Sequence, residues 1–299
     1  MTSVVARFAP SPTGLLHIGH AWSAILSHDR AKGAGGRFLL RIEDIDGTRS
    51  RREYIDAIER DLAWLGLDWD RPVLLQSERL GLYAGAIERL KAMGLLYPCF
   101  CTRAEIAASL SAPHGDTQLY PGTCRQLADA ERARRQSGEQ HAWRLDMARA
   151  LDLLSPAAEE MPDQGRHDAR LAWHDELAGD VVARPDLHGD VVLARKDAPA
   201  SYHLAVTLDD AAQGVTHVVR GSDLFAATHV HRLLQALLGL PVPIYHHHAL
   251  LADDSGERLA KRNKAPTLEA MRASGVDGRA LADDLRAGRL PIGFRVADA

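Results

Sequence analysis

The sequence predicts an α/β fold, in which a parallel sheet flanked by helices is split by an inserted segment. Two apolar runs, residues 4–9 and 37–42, enclose a helical pattern over residues 18–32 that Gly33 closes. This strand, helix, strand order is typical of parallel strands joined by a crossover helix. Regular periodicity is lost between residues 99 and 190 and returns afterwards, which predicts an insertion rather than a continued sheet.

Further helices and strands are predicted in chain order. Apolar residues at helical spacing predict a helix over residues 54–65, with Ser50 and Glu53 placed as its capping box. Another helix is predicted over residues 79–93. Behind the insertion, the pattern predicts strands over 190–194 and 215–219, a helix over 223–238 and a strand over 244–251.

Composition limits the class of protein. The 299 residues are 46% hydrophobic and 25% charged, which is ordinary for a globular chain and allows two domains or one domain with an insertion. The chain opens without a charged leader and apolar run, and no stretch reaches the roughly 18 apolar residues that a membrane span needs. We therefore expect a cytoplasmic protein with no membrane partner.

The charge balance alone does not predict a nucleic-acid partner. The formal net charge is -4, so an RNA would have to meet a local basic surface. Residues 49–52 and 258–264 are two candidates, although a run of charge usually forms a solvated surface.

A short motif, His17-Ile18-Gly19-His20, stands where the loop after the first predicted strand enters a helix. Backbone N–H groups and the helix dipole favour an anion at such an end, and two imidazoles beside it could bind phosphate. The glycine would let a flat base approach the backbone closely. This is the outline of a nucleotide site, and the alternative is that both histidines are ordinary residues of a helix start.

Three cysteines form a second candidate site. Cys99 and Cys101 are one residue apart, and Cys124 follows a loop rich in Gly and Pro, so three thiolates could converge on one zinc ion. An odd number of cysteines argues against a disulfide framework. From chemistry alone, His114 would be the fourth ligand, because imidazole is a far commoner zinc ligand than a phenol. Three reduced cysteines without a metal are the alternative.

A run of three histidines, His246, His247 and His248, does not predict a metal site. In a strand these side chains alternate between faces, so all three cannot point at one ion. We expect structural roles for them.

A long part of the chain resembles one family. Residues 7–19, RFAPSPTGLLHIG, closely resemble the opening signature of glutamyl-tRNA and glutaminyl-tRNA synthetases. The match continues through residues 41–46, 64–70 and 76–79 and resumes at 215–223. The resemblance spans about residues 4–266. It implies the Rossmann-like parallel sheet of class I aminoacyl-tRNA synthetases.

The resemblance implies a site for L-glutamate. An amino acid with a carboxylate side chain needs a guanidinium partner, and its ammonium group needs an anionic or polar one. Arg7, Glu43 and Arg220 lie on or beside three predicted strands, and an open parallel sheet gathers a ligand at its carboxyl edge. By resemblance, Glu43 meets the amino group. The residues implied to line the glutamate site are Arg7, Ala9, Ser11, Glu43, Tyr202 and Arg220.

Class I synthetases also carry a lysine-containing loop that contacts the triphosphate, and residues 256–262, GERLAKR, stand in that position. Arg258 and Ala260 depart from the usual K-M-S-K-S pattern, whereas Lys261 keeps its second lysine. That cation can meet the charge that develops as pyrophosphate leaves. The resemblance implies catalytic roles for His17, His20 and Lys261, and ATP binding by these three with Gly19. Mg2+ accompanies the ATP, and no residue identifies its ligands.

Fewer than 40 residues follow the lysine loop, which predicts a short family member. The short, zinc-bearing branch is that of the glutamyl-queuosine tRNA(Asp) synthetases. Its Cys-x-Cys, Tyr, Cys site is matched by Cys99, Cys101, Tyr120 and Cys124. The resemblance therefore favours Tyr120 over His114 and implies one structural Zn2+ on these four residues.

The expected domains follow from the same comparison. Residues 1–98 and 190–265 are predicted to form the two halves of a Rossmann-like catalytic domain, with the lysine loop in the second half. Residues 99–189 are predicted to form an inserted subdomain that holds the zinc, similar to an acceptor-binding insert. Residues 266–299 are predicted as a short helical tail without an anticodon-binding domain.

Members of this branch activate glutamate without tRNA and esterify it to the queuosine base at the wobble position. The resemblance thus implies a ligase whose partners are L-glutamate, ATP and tRNA(Asp) carrying queuosine. Three alternatives remain: a truncated glutamyl-tRNA synthetase that charges a tRNA 3' end, a catalytically silent paralogue that binds nucleotide or RNA, and a nucleotidyltransferase.

Overall fold

The computed structural model describes residues 3–102, 104–106, 119–155, 171–253 and 266–297. Its helices are α1 Ile18–Lys32, α2 Arg52–Trp64, α3 Leu80–Ala92, α4 Asp129–Gly138, α5 Met147–Leu154, α6 Tyr202–Ala212, α7 Ala227–Leu238, α8 Leu268–Ala273 and α9 Gly278–Arg286. Its strands are β1 Val5–Phe8, β2 Arg37–Ile42, β3 Asp70–Leu75, β4 Leu96–Cys99, β5 Ala142–Leu145, β6 Ala172–Asp175, β7 Gly179–Val182, β8 Val192–Ala194, β9 His217–Gly221, β10 Ile244–His248, β11 Leu251–Asp253 and β12 Phe294–Val296. None of these helices is long and apolar enough to cross a membrane.

Two groups of parallel strands build the centre of the fold. Strands β1, β2 and β3 pair in parallel, and β10 pairs in parallel with both β9 and β6. The two groups meet where the Thr216 N–H donates to the Val5 carbonyl at 2.9 Å and the Val5 N–H donates to Thr216 Oγ1 at 2.8 Å. The predicted α/β fold with a parallel sheet is confirmed.

A second, antiparallel sheet contains β4, β5 and β8. Strand β4 ends at Cys99, so this sheet leads directly into the cysteine-containing segment. The two sheets do not use separate parts of the chain. Strand β6 joins the sheet of β9 and β10, whereas the later strand β8 pairs with β5. The domain boundaries at residues 99 and 190 stay predictions.

The apolar pattern of the first strands and helices explains how they pack. Ile18 and Ile25 of α1 and Phe38 and Leu40 of β2 are almost completely buried in one core. Burial of each such side chain contributes about 1.5–3 kcal/mol. A second core forms around α3, α6 and α7 and includes Val5 of β1 and Leu39 of β2.

The segment after residue 266 packs against the first helices. The Leu268 N–H donates to the Leu16 carbonyl at 2.9 Å, and Arg272 of α8 donates to the buried Asp61 of α2 at 2.6 Å. Strand β12 pairs antiparallel with β11. The segment that follows the lysine loop is thereby held against the residues that precede α1 and against α2.

The structure differs from the sequence analysis at the start of α2 and at α6. Helix α2 begins after Arg51 without a side-chain cap, so the predicted capping box of Ser50 and Glu53 is wrong. The reason is the preceding turn, in which the Ser50 N–H donates to the Asp46 carbonyl. The N-cap position therefore falls on Arg51, one residue after Ser50. Helix α6 was not predicted, because residues 204–210 are all buried and therefore show no amphipathic period.

Candidate functional site

A cavity of about 490 Å³ opens at the carboxyl ends of the parallel strands. Strands β1 and β9, the residue after β2 and the start of α1 all contribute to its walls. Ligands of open parallel sheets bind at this edge. The lining includes every described residue that the sequence predicted for glutamate or ATP: Arg7, Ala9, Ser11, His17, Gly19, His20, Glu43, Tyr202 and Arg220. Lys261 lies outside the described residues.

The N-terminus of α1 forms one wall of the cavity. His17 is the N-cap, and its Nδ1 accepts the Gly19 N–H at 3.1 Å. His20 completes a capping box, since its Nδ1 accepts the His17 N–H at 3.1 Å. A neutral imidazole that accepts through Nδ1 carries its proton on Nε2. Both rings are thereby set as Nε2–H donors beside the positive end of a helix dipole, which suits an anionic ligand.

Gly19 is needed for this arrangement. A Cβ at this position would lie 3.0 Å from Cε1 and 3.2 Å from Nδ1 of the His17 ring. The sequence interpretation was that glycine leaves room for a base. The structure adds that it leaves room for the capping imidazole.

A buried carboxylate holds two arginines at the opposite wall. Asp210 of α6 accepts from Arg7 Nε at 2.9 Å and from Arg41 Nη1 at 2.8 Å. The side chain of Arg41 is completely buried and that of Arg7 is 5% exposed. Burial raises the pKa of Asp210, but the two guanidiniums outweigh it and hold the pKa below its usual value. The carboxylate is therefore ionised, and it fixes the direction of Arg7.

Glu43 lies beside the same arginines. Its Oε1 is 3.6 Å from Arg41 Nη2, and the side chain is only 11% exposed. Burial raises the pKa of Glu43, and the nearby Arg41 and Arg7 only partly offset this. A cation placed in the cavity would favour the ionised carboxylate, so this is a suitable partner for an ammonium group.

Arg220 reaches the cavity from β9. Its Nη1 donates to the Tyr202 hydroxyl at 3.2 Å, and its Nη2 donates to Thr228 Oγ1 at 2.6 Å. The Nε of Arg220 donates to Nε2 of His247 at 3.1 Å. Every nitrogen of this guanidinium thus has a neutral partner, and no carboxylate of the described residues bonds to it directly.

The motif segment at residues 76–79 helps to hold these residues. Asp209, which is completely buried, accepts from Gln76 Nε2 at 2.8 Å, from Arg79 Nε at 2.6 Å and from the Tyr83 hydroxyl at 2.8 Å. This anchors α6, and with it Asp210, to the start of α3. Sequence reasoning missed Asp209 and Asp210; the available signal was two adjacent acids inside an apolar helix.

The basic cluster at residues 49–52 does not form an unpaired cationic surface. Arg49 donates to Asp46 at 2.8 Å, Arg52 donates to Asp56 at 3.2 Å, and Arg51 donates to the carbonyls of Thr48 and Ser50. The other basic cluster, residues 258–264, lies outside the described residues.

Comparisons with known proteins identify the family of the chain. The family model of class I tRNA synthetases (E and Q), catalytic domain, matches residues 3–287. The chain belongs to this family. It is 51% identical over 281 residues to the glutamyl-Q tRNA(Asp) synthetase of Rhodobacter capsulatus, covering 91% of this chain and 96% of that protein. It is 45% identical to the glutamyl-Q tRNA(Asp) synthetase of Symbiobacterium thermophilum, covering 90% of this chain and 81% of that protein.

Two solved structures share the fold. A glutamate tRNA ligase from Elizabethkingia meningosepticum, crystallised with its amino acid, superimposes with a TM-score of 0.76 at 25% identity. The glutamate-tRNA synthetase of Elizabethkingia anophelis gives a TM-score of 0.77, also at 25% identity. The superposition covers 95% of this chain and only about 60% of those two proteins.

The three cysteines of this class I synthetase form a group that could hold a metal ion. The sulfurs of Cys99, Cys101 and Cys124 all lie within 4.8 Å of one another, and those of Cys101 and Cys124 are 3.5 Å apart. The Tyr120 hydroxyl oxygen is 3.4 Å from the Cys99 sulfur and 3.5 Å from the Cys101 sulfur. A tetrahedral zinc ion with bonds of about 2.3 Å to sulfur would separate its sulfurs by roughly 3.8 Å. The spacing therefore suits such an ion, and His114 lies outside the described residues.

The surroundings shift the pKa values of two of these thiols in opposite directions. Burial raises the pKa of Cys101 to about 11. For Cys124, burial also raises the pKa, but hydrogen bonds from the Tyr120 hydroxyl and the Phe100 N–H outweigh it and lower the pKa. The Arg144 guanidinium stacks 3.8 Å above the centre of the Tyr120 ring and so places a positive charge beside the phenol.

Proposed function

We propose that the chain activates L-glutamate with ATP and transfers the glutamyl group to the queuosine base at the wobble position of tRNA(Asp). One observation carries this proposal: a single cavity combines Arg7, Glu43 and Arg220 with the paired imidazoles of His17 and His20. The first set suits glutamate and the second suits a phosphate. Relatives named glutamyl-Q tRNA(Asp) synthetase, which align over 81% to 96% of their lengths, support the same reaction.

In the first step, an oxygen of the glutamate α-carboxylate attacks the α-phosphorus of ATP. The bond to the β-phosphate breaks, pyrophosphate leaves, and glutamyl adenylate forms. Arg7, Arg220 and Tyr202 would bind the side-chain carboxylate, and Glu43 would bind the ammonium group. The Nε2–H groups of the helix entrance would bind phosphate oxygens, and Mg2+ would arrive with the triphosphate.

In the second step, a hydroxyl of queuosine attacks the carbonyl carbon of the mixed anhydride, and AMP leaves with the electron pair of the broken bond. The proton of the hydroxyl passes to the phosphate of the departing AMP. No covalent enzyme intermediate is needed. The protein contributes the position and the electrostatic environment of the reacting groups. Because the reaction consumes ATP and modifies tRNA, we place it in the cytoplasm.

Lys261 is proposed as the mobile cation for the departing pyrophosphate. It keeps the second lysine of the family's loop signature. Lys261→Ala should depress the turnover of glutamate activation strongly and leave the far-ultraviolet circular dichroism spectrum unchanged. Wild-type turnover in that variant would contradict the role.

We further propose one structural Zn2+ at the cysteine site, defined as Cys99, Cys101, Tyr120 and Cys124. The spacing of these donor atoms supports a tetrahedral ion. Bound there, zinc would tie the end of β4 to the loop that contains Cys124 and so stabilise the antiparallel sheet.

The decisive experiment measures exchange of pyrophosphate into ATP without tRNA, in the presence of glutamate, glutamine or aspartate. We expect exchange with glutamate alone. Radioactive glutamate should then label tRNA(Asp) that carries queuosine, even after its 3' end has been trimmed, and should not label tRNA from cells that lack queuosine. Exchange only after tRNA(Glu) is added, with label at the 3' end, would instead establish a charging enzyme.

A further inference from the structure

A chain of three buried side chains runs behind the cavity wall. Oδ2 of Asp175, at the end of β6, is 2.6 Å from Nδ1 of His247 in β10. Nε2 of His247 accepts from Nε of Arg220 at 3.1 Å. Asp175 is 1% exposed, and His247 and Arg220 are each 5% exposed. Only Arg220 of the three lines the cavity.

The hydrogen bonds decide which atoms carry protons. Oδ1 of Asp175 accepts the N–H groups of Leu177 and Ala178 at 2.9 and 3.0 Å. Burial raises the pKa of Asp175, but these bonds and the bond from His247 outweigh it and hold the pKa below its usual value. The ionised carboxylate can only accept, so Nδ1 of His247 carries the proton and Nε2 is left as an acceptor for Arg220.

His247 also stays neutral and fixed in orientation. Burial and the positive charge of Arg220 lower the pKa of His247 to about 4, although Asp175 opposes this. The imidazole stacks parallel to the Tyr245 ring, with centroids 5.7 Å apart, and meets the edge of the Phe225 ring at 5.0 Å. The ring therefore presents one acceptor in one direction.

This acceptor determines where the guanidinium of Arg220 points. With Nε directed at His247 and Nη2 at Thr228, the planar group has no rotational freedom, and Nη1 is directed toward Tyr202 and the cavity. If Nε2 of His247 carried a proton instead, it would face the Nε–H of Arg220 as a second donor in a buried position, and only the Thr228 hydroxyl, 3.2 Å away, could accept from it. That arrangement costs free energy, and rotation of Arg220 would relieve it.

We propose that Asp175 and His247 are positioning residues that hold Arg220 in the direction needed to bind the side-chain carboxylate of glutamate. This rests on the proposed function of Arg220. Neither residue touches the substrate; each acts through the next side chain in the series. Here, as in many histidine sites, a carboxylate fixes the tautomer of the imidazole, and the imidazole then orients a third group.

Two variants break the series at different links. Asp175→Asn keeps the size of the side chain, but its amide N–H would face Nδ1 of His247 and favour the wrong tautomer. His247→Asn can keep a bond to Asp175 but does not reach Arg220. Each should raise the KM for glutamate about 10- to 100-fold in pyrophosphate exchange, since an unpaired buried donor is the consequence. The KM for ATP should stay within about twofold, and the double variant should be no worse than the poorer single one.

The same two strands supply a matched control. The neighbouring pair, His246 and Glu176, makes an equivalent bond of 3.0 Å on the opposite face, with side chains 26% and 27% exposed. His246→Asn and Glu176→Gln should leave both KM values unchanged. Should Asp175→Asn fail to fold, His247→Asn decides the matter.

The outcomes separate this inference from the function on which it rests. If Arg220→Lys raises the KM for glutamate while Asp175→Asn and His247→Asn do not, the positioning role is wrong and the glutamate site stands. An equal rise in both KM values in the two variants would show a merely structural role and would overturn the inference. If Arg220→Lys leaves the KM for glutamate unchanged, the assignment of Arg220 itself fails.

Discussion

Replacement of Asp210 by asparagine tests the buried charge arrangement most directly. The carboxylate makes bonds of 2.9 and 3.4 Å to Arg7 and of 2.8 Å to Arg41. Asparagine keeps the shape and one acceptor but removes the negative charge between two buried guanidiniums. Removal of one partner from a buried ion pair usually costs about 3–5 kcal/mol, and the retained acceptor places this variant nearer the lower figure.

The loss should appear in two measurements. Urea unfolding should show a free energy of unfolding lower by about 3 kcal/mol, a large share of the roughly 5–15 kcal/mol typical of a folded protein. Because Arg7 would also lose its fixed direction, the KM for glutamate should rise more than the KM for ATP.

An exposed pair provides the comparison. Arg184 donates to Asp186 at 2.7 Å, but the two side chains are 44% and 43% exposed. Asp186→Asn should leave the unfolding curve unchanged, because solvent screens such pairs. If Asp210→Asn loses no more stability than Asp186→Asn, burial does not strengthen the interaction of Asp210 with the two arginines. The proposed role of Asp210 in directing Arg7 then loses its support.

Three further predictions concern the helix entrance, the buried histidines and the cysteine site. Gly19→Ala should raise the KM for ATP more than that for glutamate, since the new Cβ would lie 3.0 Å from the His17 ring; equal KM values before and after would contradict this. Stability should fall between pH 6.5 and 4, because the pKa values of His203 and His247 are lowered to about 4 and the unfolded chain takes up protons that the folded chain does not. Urea unfolding at pH 7.5 and 5 should show a loss of about 2 kcal/mol for each histidine, and a flat profile would refute this. Removal of metal by a chelator at neutral pH should release one zinc per chain and speed hydrogen exchange in β4 and β5, whereas unchanged exchange would exclude a structural ion.

Much of the fold followed from local patterns. The bounds of α1 were predicted from apolar periodicity, because this helix buries one surface. The bounds of β2 were predicted from a continuous apolar run, because five of its six residues are buried. The motif around His17, Gly19 and His20 was placed at a helix start for the same reason. The helix α6 escaped prediction, since its residues are buried on nearly all sides and carry no period.

The sequence by itself determined the family, the parallel sheet and nine of the residues that line the cavity, because motifs of adjacent residues carry that information. What only the tertiary structure decided is how those residues are held. Asp210 meets Arg7 across 203 positions of the chain, and Asp175 meets His247 across 72. Neither acid stands in a motif that points to its partner. Their pairing depends on which helix covers which strand and on burial, which makes an unpaired charge costly. A local sequence pattern encodes neither the packing of the helix nor the burial.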